Sequence, residues 1–227
     1  MFKRLFDLTI AGSALIVAAP IIVLAALGVK LSSKGPAFYL AQRAGQGGTP
    51  FTLFKLRTMH IHQAPNASAI TAASDSRVFK WGAILRKTKI DELPQLWNII
   101  RGDMSIVGPR PEDMINVERF YSNLGHFTLT VKPGLSGVGS IYYYTHGEKL
   151  LDVDNPEEVY ARDLLPIKLA LEAVYIRRMS VAYDAQIVVR TAIAILKIAA
   201  GTTNFAEIRE MPAAQKILNE FAERAAA

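Results

Sequence analysis

The sequence predicts a mostly helical α+β fold: a re-entrant helix-break-helix in the membrane, a small domain with short strands, and amphipathic helices at the membrane surface. Three observations carry this. Residues 8–29 form an uncharged apolar run, and about 20 such residues suffice to reach across a bilayer. Residues 37–40 and 51–56 have strand-like composition around the glycine turn Gly45-Gln46-Gly47-Gly48. The last third is periodic in the manner of helices. The chain then divides into a membrane hairpin at 1–34, a membrane-associated cytoplasmic domain at 35–200 and a helical tail at 201–227.

The apolar run is too long for a signal peptide's core, and Val29-Lys30-Leu31 is not a small-residue cleavage pattern, so the segment is expected to be retained. Pro20 lies near its middle, where it removes a backbone donor and crowds the preceding turn. Lys3 and Arg4 precede the run, and Lys30 and Lys34 follow it. Basic residues favour the cytoplasmic side, so both ends are drawn to one face. A hairpin that enters and leaves one leaflet satisfies both facts, and a kinked spanning helix is the alternative.

After the Ser33-Lys34-Gly35-Pro36 loop and the two strands comes a polar loop at 60–76, which holds His60 and His62. None of the four histidines has metal-ligand spacing. A helix at 78–85, a glycine- and proline-rich stretch at 102–111, a helix at 112–122 and a loop-and-strand region at 132–144 follow. The spacing then predicts helices over 164–178 and 181–200, the second capped by Ser180 and stopped by Gly201. In that helix Gln186, Arg190 and Lys197 share one side, and Ile187, Val188, Ile195, Leu196 and Ala199 the other. The pattern fits a helix lying on anionic lipid or a core helix.

With 227 residues, 51% apolar and 20% charged, the chain can bury a core and is not disordered. It has no cysteine, which excludes disulfides, thiol catalysis and cysteine-bound zinc. The net charge of +6 suits nucleic acid, anionic lipid, phosphate-bearing substrates or a plain solvated face. No basic stripe interleaved with aromatics is visible, so nucleic acid is not expected.

Chemistry concentrates between Arg86 and Pro111. Leu93, Leu96, Trp97 and Ile100 recur at helical spacing and Gly102 terminates them. Pro94 is tolerated only in a first turn, which places the helix start near Asp91. Free N–H groups and the helix dipole would gather at Asp91-Glu92, a position that favours phosphate. Two carboxylates facing a phosphate call for a divalent cation such as Mg²⁺. Arg86, Lys87 and Lys89 stand just upstream to clamp the same anion, and an aspartate so placed can act as a nucleophile. Such a pair also serves commonly as a simple cap. Downstream, Gly108-Pro109-Arg110-Pro111 is a rigid turn presenting one arginine, and Asp103 is a further ligand or another cap.

From Lys3 to Thr191 the chain resembles the bacterial sugar transferase family, the small monotopic phosphoglycosyl transferases. The landmarks are Lys3-Arg4 with Asp7, the proline in the apolar run, Ser33-Lys34-Gly35-Pro36, Gln42-Arg43 with Gly45, and Phe54-Lys55-Leu56-Arg57-Thr58-Met59. Then come Asp75 with Arg77, Leu85-Arg86, Asp91-Glu92-Leu93-Pro94-Gln95-Leu96, Gly102-Asp103-Met104-Ser105 and Gly108-Pro109-Arg110-Pro111. Lys132-Pro133-Gly134-Leu135-Ser136-Gly137, Tyr175-Ile176 and Asp184 complete the set. The resemblance implies transfer of a phosphosugar from a UDP-sugar to polyprenyl phosphate, with Mg²⁺, at the cytoplasmic face of the inner membrane. By it Asp91 matches the nucleophile that carries the phosphosugar while UMP leaves, and Glu92 its partner carboxylate near the metal. Arg86, Arg110, Pro109, Pro111, Lys55 and Arg57 match substrate-binding positions. Membrane lipid of one leaflet is then a partner, and a homodimer is compatible with the pattern.

Two departures stand out. The family's break is often Ser-Pro, whereas this chain has Ala19-Pro20, and residues 138–144 read Val-Gly-Ser-Ile-Tyr-Tyr-Tyr. The sugar is therefore left open. A membrane-anchored binding module would explain the charge and apolar run but not the acidic pair beside two arginines. A phosphohydrolase would use the same residues and pass the phosphoryl group to water.

Overall fold

The computed structural model describes residues 2–61, 75–151 and 155–226, with side chains to residue 223. Most of the polar loop expected at 60–76, His62 included, lies outside them. Helix α1 (Phe2–Ser32) comes first, with Pro20 inside it. The expected break is absent, and helical backbone continues through the proline. Proline costs the helix one hydrogen bond and some crowding, and here tertiary packing holds both arms. Asp7, Ala11, Ala18, Ala25 and Val29 form one buried stripe along nearly the whole helix. Their small size lets α1 lie close against the domain.

Both ends of α1 are tied to that same body. Lys3 Nζ reaches Asp184 Oδ2 at 2.6 Å, and Arg4 donates to the carbonyls of Ile99 and Ile100 at 2.6 and 2.9 Å. Asp7 Oδ1 accepts from Ser105 Oγ and the Ile106 amide. At the other end Trp81 Nε1 donates to the Ala25 carbonyl, and a Cβ on Gly28 would sit 2.4 Å from that indole nitrogen. The opposite side stays bare, with Ile16 79% and Leu24 68% exposed. By length and composition α1 is able to cross a membrane.

Strands β1 (Phe38–Ala44) and β2 (Pro50–Leu56) form the predicted hairpin, each longer than the strand expected for it. They are antiparallel, with Tyr39 opposite Lys55. Gly47 and Gly48 take positive φ in the turn, which glycine adopts without steric cost. Helix α2 (Lys80–Thr88) precedes α3 (Gln95–Arg101), and Gly102 closes α3 in the left-handed region as expected. Asn98 fastens α3 to β2: its Nδ2 donates to the Thr52 carbonyl at 2.7 Å and its Oδ1 accepts from the Phe54 amide at 3.0 Å. Strand β3 (Ser105–Val107) pairs in parallel with β4 (Gly134–Ser136). The backbones of Gly108 and Gly134 come so close there that a Cβ on Gly134 would lie 2.0 Å from the Gly108 nitrogen.

Between β3 and β4 lie α4 (Met114–Phe120), capped by Asp113, and α5 (Asn123–Thr128). The region expected as loop and strand to residue 144 instead turns helical in α6 (Val138–Tyr142) and a π-helical turn, Tyr143–Gly147. Short α7 (Pro156–Val159) leads to α8 (Leu165–Arg178) and α9 (Val181–Ala199), whose N-cap is Ser180, as predicted. The tail returns as α10 (Met211–Ala226), with Ile208, Ala214 and Ile217 in the main core.

The faces of α9 differ from the expectation. Asp184, Ile187, Thr191 and Ala194 point inward, while Val189, Ile193 and Leu196 are exposed. Arg190 is not a free lipid-facing cation, because it pairs with Glu210 of the tail at 2.6 Å.

Candidate active site

The acidic pair is set by a backbone reversal. Helix α2 stops at Lys89, which sits at φ 56, ψ 17, the one non-glycine residue with positive φ among the described residues. Such backbone is disfavoured for a residue with a Cβ and persists where its surroundings hold it. Here the Lys89 ammonium lies 4.0 Å from the centre of the Tyr144 ring. Burial lowers its pKa, against the pull of Glu92 and Glu148. The turn Ile90–Glu92 is then a tight 3₁₀ turn, and α3 begins only after Pro94. Asp91 is therefore not the cap of that helix, contrary to the simple reading of the sequence.

The two carboxylates have opposite surroundings. Asp91 is 1% exposed, and neither of its oxygens accepts a hydrogen bond. Lys55 Nζ stands 2.9 Å from Oδ2 without hydrogen-bond geometry. Glu92, also buried, receives Arg110 through two nitrogens, at 2.8 Å to Oε1 and 3.4 Å to Oε2. The Tyr144 hydroxyl donates to Oε2 at 3.0 Å, and Lys55 lies 3.6 Å from Oε1. Burial pushes the Glu92 carboxyl up, but Arg110, Lys55 and Lys89 outweigh it and hold it well below the usual range. Arg110 in turn is pulled well above its ordinary value by Glu92 despite its own burial.

A cavity of about 960 Å³ opens beside this pair. Lys55, Arg86, Gln95, Arg110 and Pro111 line it, whereas Asp91 and Glu92 stand one layer behind, covered by their own cationic partners. Arg86 has no ion pair or hydrogen bond to the described residues, which leaves it available to an anion. Arg57 reaches the cavity but makes four hydrogen bonds elsewhere: to the Pro36, Ser33 and Met59 carbonyls and the Ser33 hydroxyl. It clamps the end of α1 to β2. Pro109 is buried, and its carbonyl accepts from the Gly134 amide at 2.7 Å, so it shapes the turn. Asp103 neither caps a helix nor joins the pair; it takes Asn98 Nδ2 at 3.1 Å. Lys87 is exposed.

Among the described residues no group of three His, Asp or Glu side chains has the arrangement of a metal cage. Of the acidic pair, Asp91 offers unclaimed oxygens of the hard kind that Mg²⁺ takes alongside substrate phosphates. Glu92 does not fit that role, since Arg110, Tyr144 and Lys55 already occupy it.

Two participants escaped the sequence reading. Tyr144 links Arg110 to Glu92, accepting from the first at 2.6 Å and donating to the second. Only its place in an unusual tyrosine run hinted at it. Glu172, 1% exposed, accepts the Arg110 backbone amide at 3.0 Å through Oε1, while Oε2 has no partner. Burial raises its carboxyl to about 7. Its signal was available: Lys168 and Glu172 are charges on the apolar face of α8, where Leu165, Leu169 and Ala173 are buried.

The bacterial sugar transferase family model matches residues 1–198. A UDP-glucose:undecaprenyl-phosphate glucose-1-phosphate transferase of Caulobacter vibrioides is 36% identical over 86% of this chain and 69% of its own. A Xanthomonas campestris protein of the same name is 34% identical over 86% of this chain but only 38% of its own. A UDP-N-acetylgalactosamine-undecaprenyl-phosphate N-acetylgalactosaminephosphotransferase of Aeromonas hydrophila is 33% identical over 86% and 43%. On the matched span, which includes α1, the acidic pair and the Arg110 turn, the chain belongs to the bacterial sugar transferase family.

Proposed function

We propose that the chain transfers a phosphosugar from a UDP-sugar to undecaprenyl phosphate through a covalent intermediate on Asp91. The observation that carries this is the Asp91 carboxylate: buried, free of hydrogen bonds, and held only by Lys55 behind a cavity wall. Leaving a buried acceptor without a donor costs free energy, and groups kept so in a fold are candidates for chemistry. A cap would show bonded oxygens.

Arg86 and Lys55 take the diphosphate, and its charge draws Lys55 off Asp91, baring the carboxylate. An Asp91 oxygen then attacks the phosphorus that bears the sugar. The bond to the second phosphate breaks, its electron pair leaving with UMP. An oxygen of undecaprenyl phosphate next attacks the aspartyl phosphosugar, forming the lipid diphosphosugar and returning the Asp91 carboxylate. Glu92 stays ionised throughout and holds Arg110 at the wall. Asp91 is the residue that would hold Mg²⁺ with the substrate phosphates; when bound, the ion supplies charge neutralisation.

A lipid substrate requires a membrane seat, and the family together with the apolar α1 points to membrane association. We place the chain on the cytoplasmic face of the inner membrane, with α1 in one leaflet. Supporting this, Lys3 and Trp81 tie opposite ends of α1 to one body, and a spanning helix would have to detach one of them. Helix α9 packs against α1 and carries exposed apolar residues of its own, which suit the same lipid surface.

The decisive assay supplies Mg²⁺, labelled UDP-sugars and undecaprenyl phosphate, and expects lipid-linked label together with UMP. Free sugar phosphate would turn the reading toward hydrolysis, and no turnover with any sugar toward a binding module. For topology, Phe2→Cys and Lys34→Cys in this cysteine-free chain are expected to react only from the cytoplasmic side. Reaction of one from the other side would restore a spanning helix.

A further inference from the structure

Just past Arg110 the cavity wall contains a second buried polar network that this reaction leaves unused. Glu112 accepts from Lys168 Nζ at 2.6 Å, from Asn116 Nδ2 at 3.0 Å, from the Asp113 amide at 3.2 Å and from the Tyr160 hydroxyl. Lys168 also donates to the Tyr160 oxygen at 3.1 Å. Asn116, Tyr160 and Lys168 are all buried, yet each of them, with Glu112, lines the cavity. A buried ion pair adds little stability over apolar side chains of the same size, so holding the wall together is a weak reason for its presence.

The network also keeps bonding capacity. Lys168 uses two of its three N–H bonds, and the Asn116 amide oxygen accepts none from the described residues. Tyr143, against whose ring the Arg110 guanidinium rests at 6.0 Å, lines the same cavity and connects the wall to the acidic pair. Phosphate calls for the cations Lys55 and Arg86, and an isoprenoid for the apolar mouth at Phe38, Leu40 and Ile61. A wall of fixed donors and acceptors suits a ring of hydroxyl groups. The relatives are named for glucose and for N-acetylgalactosamine, so the shared fold does not set the sugar and side chains must.

We propose that Asn116 and Tyr160, held in place by Glu112 and Lys168, select the transferred hexose through its hydroxyl groups. This rests on the reading of the chain as a phosphosugar transferase. The test offers mixed pairs from a panel of UDP-hexoses to the unaltered protein, to Asn116→Ala and to Tyr160→Phe, and reads the ratio of lipid-linked products. That ratio does not depend on how much of a variant is folded. A site built to bond a hydroxyl discriminates strongly, so a shift of about tenfold or more is expected in each variant. Unchanged ratios, with total turnover falling or holding, would reduce the wall to a strut and overturn the inference. No transfer from any UDP-hexose by the unaltered protein would instead overturn the reading beneath it.

Discussion

Two carboxylates at the wall of one cavity have been treated in opposite ways. At Glu112 every oxygen is claimed: Lys168, Tyr160, Asn116 and a backbone amide all donate to it. Burial would raise its carboxyl, but Lys168 wins and holds it at about 2. Asp91 is more deeply buried and accepts nothing, with one lysine beside it. The first arrangement is what folding favours when a charge must be buried. The second is left incomplete by the fold, which is the state that the proposed attack on phosphorus requires.

The largest effect expected from this contrast is at Asp91. Asp91→Asn keeps the shape and removes the proposed nucleophile, so turnover should fall on the order of 10⁴-fold or more, with folding little changed. Trapping with labelled UDP-sugar and no lipid acceptor should give no labelled protein. Turnover within tenfold of the unaltered protein would take the nucleophile away from Asp91. The complementary change is Lys168→Ala, which leaves Glu112 buried without its cation. Breaking a buried pair from one side costs about 3–5 kcal/mol, to be read as a loss in denaturant-unfolding stability. A loss under 1 kcal/mol would mean that cavity water takes the place of the ammonium at Glu112.

How much of this was legible depends on range. The hairpin of β1 and β2 follows from local glycine chemistry, and the Ser180 cap from one residue type. The pairing of Asp91-Glu92 with Lys55 and Arg110 was legible only because a chain-long motif joined them, whereas Arg86 stood out by its place just upstream. The start of α3 was misread because the local rule for Pro94 ignores Lys89, whose left-handed backbone is held by Tyr144, a contact across 55 positions. Pro20 failed as a breaker for the same reason: the buried alanine stripe of α1 decides. Tyr144 and Glu172 reach the site from α6 and α8 by tertiary packing, and no local spacing announces them.

Glu172 falls between the two extremes, with one oxygen bonded and one bare, and it gives the smallest but best-isolated test. Its carboxyl sits at about 7 against an ordinary value of 4.5, chiefly through burial. Between those values the folded protein holds a proton that the unfolded chain has released. Stability from this group is therefore full below about pH 4.5, declines as pH rises, and levels off above pH 7. A shift of this size corresponds to about 3 kcal/mol. Glu172→Gln retains an oxygen for the Arg110 amide but cannot ionise, so its stability should lack that decline. Urea unfolding of both proteins at pH 5 and pH 8 isolates the effect, because histidines that titrate in the window are common to both and cancel in the difference. The variant should gain on the unaltered protein as pH rises. Parallel pH dependence would mean that the bare oxygen of Glu172 finds a donor, and that Asp91 alone keeps an incomplete carboxylate.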